Sequence, residues 1–296
     1  MKFAVNALNF GLHGSAETLA AWARNAEDAG FHAVMVSDHV AVTPDVAEQY
    51  PAPFFDPFAT LAWLAGQTQR VRLGTTVAIL PYRSPLLTAR MAANIDHFSG
   101  GRLILGVGIS WPKQEYAALD VPFSKRGRIT DDYLSAITRL WTQDTASIET
   151  PSVTFHDVQS GPRPVQQPHP PIWVGGNSPA AANRAVRFGT GWHPINVSPT
   201  WLADEGLPAL RAAAQREGHP VPALQPRIVL PHDGLDAAAL RRVRDDLLAF
   251  EELGAEYVLF DSYPGKPDAQ RPFAEDWAMF EALAEHVLDL GGETVR

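Results

Sequence analysis

From end to end the chain alternates short apolar or β-branched runs with longer segments of helical period, and this alternation points to a parallel sheet whose strands are joined by helices. Runs such as Ala33-Val34-Met35-Val36 have no polar face, as expected of strands covered on both sides. The pattern predicts strands at Lys2 to Leu8, Ala33 to Ser37, Arg72 to Ile79, Leu103 to Ile109, Ile172 to Gly175, Trp192 to Asn196 (the weakest), Arg227 to Leu230 and Tyr257 to Phe260. Each is followed by a helical segment. In the first, Ser15 suits an N-cap, Leu19, Trp22, Ala23 and Ala26 recur at helical spacing, and Gly30 ends the run. Further helices are predicted over Asp56 to Thr68, Ser84 to Phe98, Arg126 to Trp141, Ser178 to Phe188, Trp201 to Glu217, Asp236 to Leu253 and Pro272 to Leu290.

Eight strand and helix pairs predict an α/β fold, a closed (β/α)8 TIM barrel, as one domain over residues 1–296. The rhythm breaks between Thr142 and Pro171, a stretch with six prolines and β-like residues around Val153 to Val158. This predicts an insertion before strand five, forming either a wall of the substrate mouth or a flap on the outer surface.

Several function classes fall away. Acidic residues outnumber basic ones by 33 to 24, giving a formal charge of -9 without any Lys or Arg run, so no nucleic-acid partner is expected. The absence of Cys excludes disulfides, thiolate nucleophiles and cysteine-ligated metals. No apolar run nears the ~18 residues of a membrane helix, and Met1 to Val5 lead into a strand without a signal-peptide layout, so no membrane partner and a cytoplasmic location are expected. A metal-dependent hydrolase barrel is the reading from another class. Against it, strand one offers Asn6 and no His-x-His pair, and the 10 histidines are scattered; no metal ligands are expected.

Barrel active sites lie at the C-terminal ends of the strands, where three clusters stand out. Ser37-Asp38-His39 places a carboxylate beside an imidazole, able to orient a ring or move a proton; a strand-ending Asp with a solvated His is the plainer alternative. Leu73-Gly74-Thr75-Thr76-Val77 could leave room for a flat ligand, or could simply pack small residues in the barrel. Trp173-Val174-Gly175-Gly176-Asn177-Ser178-Pro179 ends a strand in two glycines and opens a helix, a layout that offers free amides to an anion or is an ordinary glycine-rich turn.

These clusters, with Asp56-Pro57-Phe58-Ala59-Thr60-Leu61, Ser99-Gly100-Gly101-Arg102-Leu103, Gly106-Val107-Gly108 and Gly191-Trp192-His193-Pro194, carry a resemblance over residues 1 to 260. The chain resembles the luciferase-like monooxygenase superfamily, and within it the coenzyme F420-dependent oxidoreductases. The resemblance implies a deazaflavin, or alternatively FMN, across the barrel mouth. Asp38, His39, Thr76, Val77 and Gly108 would lie near the ring, while Gly175, Gly176, Asn177 and Ser178 would hold the phosphate. It also implies a cis peptide at Thr76-Val77. Where sugar-phosphate dehydrogenases of the superfamily carry an acid, this sequence has Trp111, and the nearest carboxylate is Glu115.

The expected activity is therefore hydride transfer between F420 and a small organic substrate, with an FMN-dependent monooxygenase or reductase as the alternative. His39 is the expected acid–base residue, because an ordinary pKa of ~6.5 suits proton transfer near neutrality; Asp38 and Glu115 are the other catalytic candidates. Asn6, Trp111, Trp192 and His193 are expected in the substrate pocket. An acidic F420 tail would need a basic patch, for which Lys113, Lys125, Arg126, Arg163 and Arg184 are candidates. Oligomeric state stays open, a homodimer included.

Overall fold

Eight parallel strands form the centre of the computed structural model, which describes residues 1–296. They are β1 (Lys2–Asn6), β2 (Ala33–Val36), β3 (Arg72–Thr75), β4 (Leu103–Gly108), β5 (Ile172–Gly175), β6 (Gly191–His193), β7 (Arg227–Val229) and β8 (Tyr257–Asp261). Neighbours in sequence pair in parallel from β1 to β6, β7 pairs with β8, and β8 returns to β1. A bridge from Ile195 to Arg227, with the Asn196 N–H donating to the Arg227 carbonyl at 2.8 Å, closes the barrel between β6 and β7. Prolines cut both of these strands short. Pro194 follows β6 and Pro226 precedes β7, and neither has an N–H for the ladder.

The outer layer is eight helices: α1 (Ala16–Ala29), α2 (Pro57–Ala65), α3 (Pro85–Phe98), α4 (Arg126–Thr142), α5 (Pro179–Phe188), α6 (Leu207–Glu217), α7 (Ala237–Glu252) and α8 (Phe273–His286). Their starts follow local chemistry. Ser15 and Thr18 form a reciprocal capping box on α1, and Asp56, Ser178 and Asp236 each accept from a backbone N–H in the first turn of α2, α5 and α7. Gly30 closes α1 at φ +95°, a conformation that favours glycine. Trp22 of α1 then meets Phe280 of α8 edge to face at 5.3 Å, joining the first and last helices. No helix is long and apolar enough to cross a membrane.

The insertion is an outer-surface flap rather than a wall of the mouth. Its antiparallel hairpin, Ala146–Glu149 with Thr154–Val158, buries Ala146, Ile148 and Phe155 in the main apolar core. Its return limb runs under the barrel: Gln166 bonds the Asp96 carboxylate at 2.7 and 2.9 Å and the Leu103 carbonyl at 2.8 Å, and accepts from Arg72 at 2.7 Å. Arg72 and Leu103 begin β3 and β4, so this limb covers the end opposite the strand C-termini.

Strand three is interrupted where the sequence predicts one run to Ile79. After Thr75 the chain turns through Thr76-Val77, whose peptide is cis, and only Ala78–Ile79 pairs again, with Val107 and Gly108. The neighbouring strand yields to it. A Cβ on Gly106 would lie 1.9 Å from the Thr75 carbonyl oxygen, and the Thr75 hydroxyl donates to the Gly106 carbonyl at 2.6 Å. Gly106→Ala should therefore be destabilising by roughly 1–3 kcal/mol, as overpacking a core is. A thermal melt should show Tm lowered by roughly 2–5 °C, and an unchanged Tm would mean that β3 and β4 do not depend on this close approach.

Candidate active site

At the C-terminal ends of the strands lies a cavity of about 310 Å³. Its walls come from the segments that follow the strands: Ser37, Asp38 and His39 after β2, Thr76, Val77 and Ile79 after β3, Gly108 to Trp111 from β4, Gly175 and Gly176 from β5, and His193 and Ile195 from β6. Tyr50 and Arg227, neither expected from the sequence, complete it.

Val77 forms an apolar bed. Cβ atoms on Gly108 and Gly175 would meet its methyl groups at 2.5 and 3.0 Å, so glycine on both neighbouring strands is what lets this side chain lie there. Thr76 beside it is buried, and its hydroxyl lies 3.0 Å from His193 Nε2.

His39 and Glu115 are brought together across 76 residues of sequence, with Nδ1 and Oε2 2.7 Å apart. Glu115 is fully buried on a short helix, Lys113–Ala118, that the sequence reading does not predict. Its carboxylate also accepts from the Val40 and Ala41 N–H groups at 2.7 and 3.0 Å and from the Tyr82 hydroxyl at 3.0 Å. Burial pushes this carboxyl up, but the His39 hydrogen bond and charge and the two backbone donors prevail, and it sits below the ordinary carboxylate value. A carboxylate engaged on both oxygens is suited to orienting an imidazole rather than to reaching substrate. Its bond to Nδ1 leaves Nε2 as the ring nitrogen available in the cavity.

Asp38 lines the cavity but is turned away from His39. Its oxygens take the Arg83 guanidinium in a two-pronged pair at 2.7 and 2.9 Å and the Ile79 N–H at 2.8 Å, and Arg83 reaches Asp56 at 2.9 Å. Burial pushes the Asp38 carboxyl up against the opposing pull of Arg83. The carboxylate is thus committed to bracing the segment after Val77, and it makes no bond to His39. Adjacent strand residues face opposite ways, which separates the two side chains.

The same alternation separates Trp192 from His193. Trp192 lies outside the barrel against Trp201, its indole N–H donating to the Gly176 carbonyl at 2.8 Å, and so it does not line the cavity as expected. His193 does. Its Nδ1 lies 2.5 Å from the Gln225 carbonyl, an acceptor only, so Nδ1 carries the proton and Nε2 accepts from Thr76. Asn6 is fully buried and donates to Asp261 at 3.1 Å instead of lining the pocket. Arg227 binds the same Asp261 and donates to the Thr76 carbonyl at 2.8 Å and its hydroxyl at 3.1 Å.

At the start of α5 the Asn177 side chain is occupied, donating to and accepting from the Ile195 backbone at 2.8 and 2.9 Å. Ser178 Oγ caps the helix by accepting from the Ala181 N–H at 3.2 Å. The backbone N–H groups of Asn177 and Ser178 make no bond within the chain, and Gly176 holds φ +113°. Of the basic candidates, Arg184 is taken by Asp131 at 2.6 Å and Gly127 at 3.1 Å, and Arg163 pairs with Asp144 in the insertion. Arg126 lies 3.8 Å over the Phe123 ring, and Lys113 faces the same ring at 5.6 Å.

Comparison with known proteins fits this geometry. The family model described as luciferase-like monooxygenase matches residues 1–247. The chain belongs to the luciferase-like monooxygenase family. One relative, an uncharacterized protein of Mycobacterium tuberculosis, is 32% identical over 284 residues, 90% of this chain and 93% of that protein. An FMNH2-dependent dimethylsulfone monooxygenase of Pseudomonas putida is 35% identical over 154 residues, 51% of this chain and 42% of its own length. The coenzyme F420-dependent tetrahydromethanopterin reductase of Methanopyrus kandleri has the same fold, with a TM-score of 0.74 at 16% identity over 96% of this chain and 97% of that one. The proteins similar to this chain thus include a user of FMNH2 by sequence and a user of F420 by fold, and the chain is an enzyme of the luciferase-like monooxygenase family.

Burial, against a weaker pull from the Gln225 carbonyl and with help from the Arg227 charge, pushes His193 down to about 4. The unfolded chain takes up this proton near pH ~6.5, and the native protein only near 4. Between these values unfolding takes up a proton, so stability falls as pH falls from about 6.5 to 4 and this contribution levels off below. Urea unfolding at pH 5 and 7 should show that His193→Gln flattens the decline; an equal decline in both proteins would mean that His193 is not held neutral.

Proposed function

We propose that the protein is an oxidoreductase that moves a hydride between coenzyme F420 and a small organic substrate, with His39 as the acid–base residue. The observation that carries this reading is the juxtaposition, within one cavity, of the Val77 bed, the His39 ring and the Gly176 turn that opens α5. The residues fit a tricyclic cofactor with a phosphate. The apolar Val77 surface suits one face of a flat ring, and the unpaired N–H groups of Asn177 and Ser178 suit an anion at a helix start. When bound, the deazaflavin supplies hydride transfer at its ring.

The chain's own residues supply the rest. Glu115 holds His39 through Nδ1, and Nε2 gives or takes the proton that accompanies hydride movement. Trp111 and Tyr50 narrow the mouth around the substrate. Asp38, Glu115 and Asp261 each have a partner that holds the carboxylate in place.

A second reading, an FMN-dependent monooxygenase or reductase, is favoured by one observation. Arg184 and Arg163 are already bound to aspartates, which leaves fewer basic groups for an acidic F420 tail. Titrating the protein separately with F420 and FMN, followed through its 8 tryptophans, separates the two. The favoured reading requires tighter binding of F420, and tight binding of FMN alone would select the second. For either cofactor, Gly176→Val should weaken binding by at least about tenfold, ~1.4 kcal/mol. Unchanged affinity in a folded variant would remove this turn from the phosphate site. His39→Ala should lower turnover by ~10²–10⁴-fold with cofactor affinity little changed. If His39→Ala turns over normally while Glu115→Gln is inactive, the acid–base role belongs to Glu115.

A further inference from the structure

Three tyrosines near the cavity have their hydroxyls committed: Tyr82 to Glu115, Tyr116 to the Ile109 carbonyl and Tyr263 to the Gln49 carbonyl. Tyr50 differs. Its ring lines the cavity, and its hydroxyl makes no hydrogen bond within the chain and is not among the fully buried unpartnered atoms, so it is open to solvent. The ring is fixed from several sides, by Phe10 edge to face at 5.3 Å, by Tyr263 at 5.9 Å and by the His39 imidazole at 5.2 Å. A phenol held this firmly and left unpaired is a prepared donor. Burial pushes its pKa up, so the O–H keeps its proton.

The charges around it limit what it can bind. Asp38 is paired with Arg83 and Arg227 with Asp261, and both Glu115 oxygens are taken by His39, the Val40 and Ala41 N–H groups and the Tyr82 hydroxyl, so the cavity offers no unengaged carboxylate or guanidinium. A charged substrate would lose its hydration there without gaining a counter-ion. An apolar body, in contrast, finds the Trp111 and Tyr50 rings. We propose that the substrate is a neutral, largely apolar molecule carrying a hydroxyl or carbonyl oxygen, and that Tyr50 fixes this oxygen beside His39 by donating a hydrogen bond to it. The proposal rests on the oxidoreductase reading above, and it assigns Tyr50 as the residue that selects for the oxygen.

Cofactor-loaded protein, wild type and Tyr50→Phe, would be titrated with acetophenone, with ethylbenzene, which lacks the oxygen, and with benzoate, which is charged. Binding would be followed by the cofactor's visible absorption and by tryptophan fluorescence. Wild type should prefer acetophenone to both others by at least about tenfold, ~1.4 kcal/mol. Tyr50→Phe should lose that preference over ethylbenzene, binding ethylbenzene as wild type does and holding the cofactor within twofold of wild-type affinity. Equal acetophenone affinity in both proteins, no acetophenone binding to wild type, or a preference for benzoate would each overturn the proposal. Failure of the underlying reading shows separately, as wild type that binds neither F420 nor FMN.

Discussion

Val77 can line the cavity because three glycines on β4 and β5 give way to the chain around it. Gly106 admits the Thr75 carbonyl, and Gly108 and Gly175 admit the Val77 methyl groups. Everything else in the site is arranged about this displaced segment. Arg227 reaches across from β7 to the Thr76 carbonyl, His193 from β6 meets the Thr76 hydroxyl, and Asp38 from β2 accepts the Ile79 N–H. One interruption of one strand thereby fixes side chains from β2, β6 and β7, and each of these has a further partner that holds it.

Those further partners explain how the barrel mouth tolerates so many ionisable groups. A buried charge without a partner is strongly destabilising, whereas a paired and hydrogen-bonded one is tolerated. Asp38 has Arg83, Arg227 has Asp261, and Glu115 has His39, two backbone donors and a tyrosine hydroxyl. The result is a cavity that is polar in its construction yet offers few uncommitted groups. His39 Nε2 and the Tyr50 hydroxyl are two of them, on rings whose centres are 5.2 Å apart.

The barrel was legible in the sequence because each strand and helix carries its own periodicity and caps, which do not depend on distant residues. Much of the site lies beyond that kind of signal. Arg83 is 45 residues from Asp38, and Glu115 is 76 from His39, so no local pattern announces either pair. Arg227 had a visible trace, a charged residue at the start of an apolar strand, and in a barrel interior such a residue calls for a buried partner. Trp192 was misplaced although period-two alternation already sets it opposite His193. The Thr76-Val77 peptide and the Gly176 turn came from family resemblance, since composition and spacing left both with ordinary alternatives.

A flat cofactor lying over Val77 with its phosphate at the start of α5 is the proposed arrangement, and a crystal structure of the protein soaked with F420, and separately with FMN, examines that placement atom by atom. The expected result is difference density for a tricyclic ring against the Val77 side chain, with phosphate oxygens within about 3 Å of the Asn177 and Ser178 nitrogens and His39 Nε2 facing the cavity above the ring. Density for the ring elsewhere on the molecule, or a phosphate bound away from those two amides, would contradict it.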